Sequence, residues 1–351
     1  MTVEPRGGPR VWIDFANSPH PLLFAPIVRE LEAAGCQVLL TARDHAQTVE
    51  LARERWTQVT VLGRPSPGGR AAKARVLLER IRQLTGWARA ARPDVALSHN
   101  SYAQVVAARA LRIPAVTAMD YEHQPANHLA FRLARSILLP EALRGTDVHR
   151  QGAVGGKTHF YDGLKEELYL GDFEPDPAVR ARLGMTDDRP LFVLRTPPTG
   201  AMYHQFGNAL FDEVLQRLAR DDAAWCVLLA RHPEHRAAAE ALDASNIVVP
   251  TAAVDARSLM SQADVVVGAG GTMTREAALL GVPTWSVFAG RPAAVDSWLE
   301  ESGLLRRLSS ADELFDVRRR QPVAPDLDAL RRRGARLVGE FVQATLEAAR
   351  R

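Results

Sequence analysis

Short runs rich in valine, leucine and isoleucine alternate with amphipathic helical stretches from residue 10 to about residue 305, and this alternation constrains the fold more than any other feature. A strand covered on both faces reads as a continuous apolar run, and a parallel neighbour needs a crossover between the two. The pattern therefore predicts an α/β chain with parallel, doubly wound sheets. In the first half the expected strands are residues 10–15, 37–41, 59–62, 94–98, 115–118 and 137–139, with helices at 22–34, 46–54, 69–91, 102–111 and 127–135. Periodicity is lost over 140–189, where glycine and proline are frequent, and strands resume at 191–194, 225–230, 247–249, 264–267 and 283–288. Helices are expected at 205–219, 234–242, 256–262 and 272–280, and a last, basic helix over 326–351.

A chain of 351 residues is long for one core and suits two domains. The expected division is an N-terminal Rossmann-like domain over 10–165, a second over 185–325, and the final helix packing across both. Residues 1–9 read as a polar tail. A net charge of +3 is too small to imply nucleic acid, and no nucleic-acid-binding motif is present, so no such partner is expected. Cys36 and Cys226 lie in apolar runs of different halves and read as buried free thiols of a reducing compartment. With no stretch near the roughly 18 apolar residues of a membrane span, a cytoplasmic location is expected. Residues 64–92 interleave Arg64, Arg70, Lys73, Arg75, Arg80, Arg82, Arg89 and Arg92 with apolar positions. Two readings stay open there: a solvated helix face over a core stripe, or peripheral contact with an anionic membrane at its inner face.

Residues 263–287 read ADVVVGAGGTMTREAALLGVPTWSV, a strand, a glycine turn and a helix start. Gly270 and Gly271 let the backbone approach a ligand, and the first-turn amides of the helix form a site for phosphate. Thr272 and Thr274 add hydroxyl donors, and Glu276, one turn in, is placed to accept from ribose hydroxyls. The dinucleotide fingerprint G-x-G-x-x-G is a poorer match, because it needs glycine where Met273 stands. GAVGGKT at 152–158 is not a P-loop, which needs glycine where Gln151 stands. The run GGTMTREAALLGVP instead resembles the nucleotide-sugar signature in the C-terminal domain of GT-B glycosyltransferases and of UDP-N-acetylglucosamine 2-epimerases.

Ligands of doubly wound sheets sit at the carboxyl ends of the strands. That rule brings Asp14, Asn17, Ser18 and His20 to one rim with His99, Asn100 and residues 120–123. In the second half it brings Arg195 and His232 to the rim of the glycine turn. An arginine there suits a diphosphate as a bidentate donor. His232 and His235 lack a converging carboxylate or cysteine cluster, and no D-x-D pair stands out, so no metal is expected.

Four runs together resemble the DUF354 family: VWIDFANSPHPLLFAPIVRELEAAGCQVLLTAR, the DYEH segment, YDGLKEELYL with FEPDP, and VVGAGGTMTREAALLGVPT. The resemblance implies a GT-B-like pair of Rossmann domains with an interdomain cleft, related to nucleotide-sugar transferases and 2-epimerases. It also implies that Gly270, Gly271 and Thr272 face phosphate and that Glu276 meets ribose. The leading expectation is a glycosyltransferase that takes a nucleotide diphosphate sugar, UDP-linked, as substrate, with no further cofactor and no metal. Its candidate bases are His20, Asp14 and Glu122. A nucleotide-sugar 2-epimerase and a non-catalytic nucleotide-sugar-binding protein stay open beside it.

Overall fold

A computed structural model describes residues 8–65, 69–186, 188–197, 208–221, 223–252, 254–314 and 325–350. Most of the expected polar tail and the start of the helix expected from 205 lie outside these residues. The chain divides into two compact units, Met1–Gly171 with Leu330–Arg351, and Asp172–Ala329.

Unit 1 carries β1 (Arg10–Phe15), β2 (Gln37–Ala42), β3 (Val59–Val61), β4 (Val95–His99), β5 (Ala115–Ala118), β6 (Ser136–Pro140) and β7 (Thr158–Tyr161). Its helices are α1 (His20–Ala33), α2 (Thr48–Arg53), α3 (Arg70–Ala91), α4 (Tyr102–Ala110), α5 (Asn127–Leu133), α6 (Val148–Gln151) and α7 (Glu167–Leu170). The strands run in the order β3-β2-β1-β4-β5-β6-β7, every pair parallel. β4, β5 and β6 are buried along their whole length, as strands of a sheet with helices on both faces must be.

Unit 2 repeats the plan with α8 (Val179–Arg182), β8 (Leu191–Arg195), α9 (Ala209–Arg220), β9 (Trp225–Leu229), α10 (Pro233–Glu240) and β10 (Ile247–Val248). It continues through α11 (Ala256–Ser261), β11 (Val265–Gly268), α12 (Thr272–Leu279), β12 (Thr284–Ser286), α13 (Ala294–Glu301) and β13 (Arg306–Arg307). The order is β10-β9-β8-β11-β12-β13, again all parallel. Phe192, Leu194, Val265 and Val267 of the sheet pack with Phe211, Val214 and Leu218 of α9 in one core.

Both sheets reverse their direction of growth at one place, between β1 and β4 in unit 1 and between β8 and β11 in unit 2. At such a point the loops leaving the two strands diverge to opposite faces and open a crevice beyond the strand ends.

Two strands lie where none was expected. β7, with sequence THFY, falls inside the segment read as the domain connection, and β13 is Arg-Arg. Both are edge strands with polar, partly exposed residues, so neither has the apolar run that marks a central strand. The last helix, α14 (Leu327–Arg350), lies with unit 1 from Leu330 onward. Its stripe of Leu330, Leu337, Phe341 and Thr345 is buried, and the Phe341 ring stands 5.4 Å from that of Tyr161. Gly334 is where α14 crosses closest, since a Cβ there would come 2.6 Å from the Glu167 carbonyl oxygen. Arg331 Nε donates to Gly171 O at 3.0 Å, and Arg333 pairs with Glu167.

The basic segment is α3, and one of its arginines does not lie on a solvated face. Arg80 is buried and turns into the sheet, while Lys73, Arg75, Arg82 and Arg89 are exposed beside Leu77 and Leu78. Among the described residues no helix is long and apolar enough to cross a membrane.

Candidate functional site

The switch point of unit 1 is a polar core under a polar rim. Asp14, near the end of β1, is fully buried, and both its oxygens accept from Arg80 Nη2, at 2.9 and 2.8 Å. Thr41 Oγ1 donates to it at 2.6 Å, and Ser101 Oγ donates as well. Thr41 Oγ1 in turn accepts from Trp12 Nε1 at 2.8 Å, which ties the network into the β1–β2 pair. A carboxylate that already accepts four hydrogen bonds from three groups, with one arginine nitrogen bridging both its oxygens, has no lone pair left to face an acceptor. Asp14 is therefore a structural anchor, which corrects its expected place among the bases.

His20 opens α1, and its Nδ1 accepts the Ala16 N–H at 3.0 Å. The neutral ring then carries its proton on Nε2, so His20 presents a donor to its surroundings and not a base. Burial holds its pKa well below the ordinary histidine range; His99, Lys165 and Arg80 add to that, and Asp120 opposes it. As pH falls through about 6.5, the unfolded chain takes up a proton that the folded His20 refuses, so stability present above that pH is lost below it. His20→Asn, whose side-chain oxygen can accept the Ala16 N–H, is expected to flatten the fall in urea midpoint between about pH 8 and pH 5. An unchanged slope in the variant would place the titration elsewhere.

The other rim positions are used unequally. Asn17 is exposed, and its carbonyl accepts the His20 N–H at 3.0 Å. Ser18 Oγ accepts the Gln47 N–H at 3.2 Å and so ties the loop after β1 to the start of α2. Glu122 is buried with Oε1 3.4 Å from His123 Nε2. Its carbonyl accepts from Gln151 Nε2 at 2.6 Å, which holds the loop after β5.

Beside them His99 and Asp120, expected on this rim, are joined by Lys165 and Glu166, which the sequence reading did not place here. His99 ends β4, its ring 5.5 Å from that of His20, and its Nε2 lies 3.3 Å from Asp120 Oδ1. Lys165, after β7, pairs with Asp120 Oδ2, and its Nζ donates to Glu166 Oε1 at 2.6 Å. Lys165 and Glu166 sit in the run YDGLKEELYL, where three adjacent charges, Lys165 to Glu167, among apolar residues are the available signal.

At the switch point of unit 2, β11 ends in the glycine turn and α12 begins. Gly270 and Gly271 have φ of 76° and 87°, the left-handed region that favours glycine. No side chain caps α12 at Gly271, so the first-turn N–H groups keep their positive end toward the crevice. Gly271 is exposed and Thr272 half-buried, whereas Thr274 is buried. A Cβ on Gly268 would come 2.5 Å from Thr274 Oγ1, so Thr274 packs back against the strand. Its expected role as a ligand donor is corrected to helix–strand packing. Glu276 is buried one turn further on, and Arg275 Nε donates to Asp296 Oδ1 at 2.7 Å, which fixes α12 to α13.

Arg195 ends β8, the strand between β9 and β11, and its Nη1 donates to Leu229 O at 3.1 Å. Arg231, on the next loop, donates through Nε to Thr196 O at 2.9 Å. Burial and the neighbouring Arg231 charge lower the Arg195 pKa to about 10. Exposed His232 follows, its ring 5.4 Å from that of His235. The first turn of α12 and the guanidinium groups of Arg195 and Arg231 make one electropositive rim. Among the described residues no group of three His, Cys, Asp or Glu side chains converges as a metal site.

The family model described as "Protein of unknown function (DUF354)" matches residues 9–336. An uncharacterized protein of Methanocaldococcus jannaschii is 29% identical over 315 residues, covering 87% of this chain and 89% of that relative. Among solved structures, the UDP-N-acetylglucosamine 2-epimerase of Rickettsia bellii superposes with a TM-score of 0.73 at 15% identity, covering 97% of each chain. The UDP-GlcNAc 2-epimerase of Neisseria meningitidis, bound to UDP-GlcNAc, gives 0.72 at 15% identity, over 95% of this chain and all of that one. The glycotransferase of kitacinnamycin gives 0.60 at 19% identity, over 97% of this chain and all of that one. These likenesses establish the GT-B-like, two-domain α/β fold.

Proposed function

Since the chain belongs to the DUF354 family, whose description carries no reaction, we propose a function from its own residues: it is a glycosyltransferase whose substrate is a nucleotide diphosphate sugar. The observation that carries this is the unit-2 switch point, where an uncapped helix N-terminus after Gly270 and Gly271 adjoins the strand that ends in Arg195. Two guanidinium groups close enough to disfavour one another's charge form a face complementary to a diphosphate. The same face offsets the charge that develops on a diphosphate as it leaves, so the transfer is proposed to need no metal. Thr272 donates to a phosphate oxygen, Glu276 accepts from ribose, and His232 lines the exposed side of the rim. UDP is the proposed nucleotide, supported by the UDP-sugar named for the Neisseria neighbour.

The fold neighbours favour a second reading, a nucleotide-sugar 2-epimerase, and chemistry separates the two. An epimerase exchanges a sugar proton with D2O without any acceptor, whereas a transferase given no acceptor releases nucleoside diphosphate slowly.

The test is a thermal-shift panel of UDP, GDP, CDP and dTDP with their common sugars, on wild type and Glu276→Ala. A ligand at a hundred times its dissociation constant stabilises the fold by about 2.7 kcal/mol. One nucleotide is expected to raise the melting temperature of wild type, with most of that rise lost in the variant. A folded protein that responds to none at millimolar concentration refutes the reading.

A further inference from the structure

The outer face of α3 carries charge that neither crevice uses. The helix reads RAAKARVLLERIRQLTGWARAA, with Glu79 as its one carboxylate against a row of cations. Glu79 is taken up by Arg64 at 2.9 Å, and Arg80 turns inward to Asp14. Lys73, Arg75, Arg82 and Arg89 are exposed and pair with no carboxylate among the described residues. Arg75, Arg82 and Arg89 follow one another at intervals of two helical turns, so they leave α3 along one line, with about 10 Å between successive positions. Leu78 stands on the same face, one turn after Arg75 and one turn before Arg82, and is 55% exposed; Leu77 beside it is 43% exposed. The neighbouring helix α4, YAQVVAARA, adds the exposed Arg109 and no carboxylate.

A solvated helix face balances its cations with carboxylates one turn away and keeps its leucines inside. α3 does neither on this side, although its inner stripe is fully used. Val76, Leu84 and Ala88 are buried there, and the Trp87 ring stands 5.4 Å from that of Trp12. We propose that the outer face of α3 docks on an anionic lipid bilayer, with the arginines at the headgroup phosphates and Leu77 and Leu78 entering the headgroup boundary. The helix stays packed on its sheet and meets the lipid by its cationic side, where the long arginine stems lie along the boundary and the guanidinium groups stay in water. Charge complementarity selects this occupant. A second copy of the chain would set arginine against arginine across a two-fold axis. A nucleic acid would take the guanidinium groups but would leave two exposed leucines without a task, and the one aromatic ring of α3 is engaged with Trp12 rather than free to stack on a base. Docking is independent of the nucleotide-sugar reading, because α3 belongs wholly to unit 1 and lipid binding is measured without nucleotide.

The experiment is co-sedimentation of the full chain with vesicles of phosphatidylcholine, alone or mixed in equal parts with phosphatidylglycerol. Wild type is expected to bind the mixed vesicles and not the neutral ones, and to be released as added salt shortens the screening length. Each basic residue near an anionic surface contributes about 5-fold, so Arg75→Gln, Arg82→Gln and Arg89→Gln combined are expected to weaken binding about 100-fold. Leu78→Gln, which keeps every charge, is expected to weaken it about 10-fold. Arg53→Gln, Arg135→Gln and Arg220→Gln combined remove the same charge from exposed positions on other elements, and are expected to change binding less than about 3-fold. An unchanged melting temperature shows that each variant is folded; if the first triple variant is not, Arg82→Gln alone carries the comparison with an expected loss of about 5-fold. Wild type that stays in solution with the mixed vesicles overturns the proposal. So does an equal loss in the two triple variants, which would make the attraction a matter of net charge. Leu78→Gln binding as wild type does would remove the leucines from the contact, and the choice of lipid over other polyanions with them. Tighter binding to polyuridylate than to the vesicles would assign the face to nucleic acid instead.

Discussion

Replacing Arg80 by alanine is expected to destabilise the protein by about 3–5 kcal/mol, the range for breaking a buried ion pair from one side. The guanidinium is the only cation paired with Asp14 among the described residues, and Asp14 has no exposure to water. Removing it leaves a carboxylate whose hydrogen bonds come only from the hydroxyls of Thr41 and Ser101, with Arg43 a cation that interacts with it without pairing. The loss is then the desolvation penalty of an uncompensated charge, not the net strength of the pair. That distinction makes a second variant informative. Arg80→Met combined with Asp14→Leu removes both charges, and it is expected to recover most of the stability, because apolar replacements of a buried pair are often neutral. Urea denaturation of the three proteins measures both. A single variant within about 1 kcal/mol of wild type would mean that water reaches Asp14, as at exposed pairs.

The same residue shows where sequence reading stopped. Asp14 and Arg80 are 66 residues apart, on a strand and on a helix with no local pattern in common. In the sequence Arg80 is one of eight basic residues between 64 and 92, and both readings of that run, a solvated face and a membrane-surface helix, turn its cations outward. A spacing signal did exist. Val76, Arg80, Leu84 and Ala88 recur every four residues, and all four are buried, so the arginine stands on the core stripe of α3. The central strands were legible because burial on both faces demands apolar runs. β7 and β13 were not, because an edge strand may be polar. The unit-2 turn was legible since positive φ at two adjacent positions requires residues that tolerate it, and Gly270 and Gly271 supply them. Of the unit-1 cluster, His99 and Asp120 were legible as strand-end residues of β4 and β5, but Lys165 and Glu166 were not, because they follow β7, a strand the pattern did not predict.

Arg195→Gln is expected to weaken binding of the nucleotide about 10- to 100-fold, or about 1.5–3 kcal/mol, the loss for hydrogen bonds to a charged group. The free protein should respond in the opposite direction. Burial and Arg231 both lower the Arg195 pKa, so at neutral pH the folded state holds this cation against a cost that the unfolded chain does not bear. Glutamine is neutral, and its amide can still reach the Leu229 carbonyl that Arg195 Nη1 serves. The melting temperature of the ligand-free variant should therefore equal or exceed that of wild type. Under the proposed function, this cost is what a face kept for a diphosphate would carry in its absence. Salt gives a control, since added ions screen two neighbouring cations and should narrow the gap between the free proteins. A variant that is less stable without ligand and binds nucleotide as wild type does would show Arg195 to be a strut between β8 and β9. In that case the diphosphate would have to be held elsewhere on unit 2.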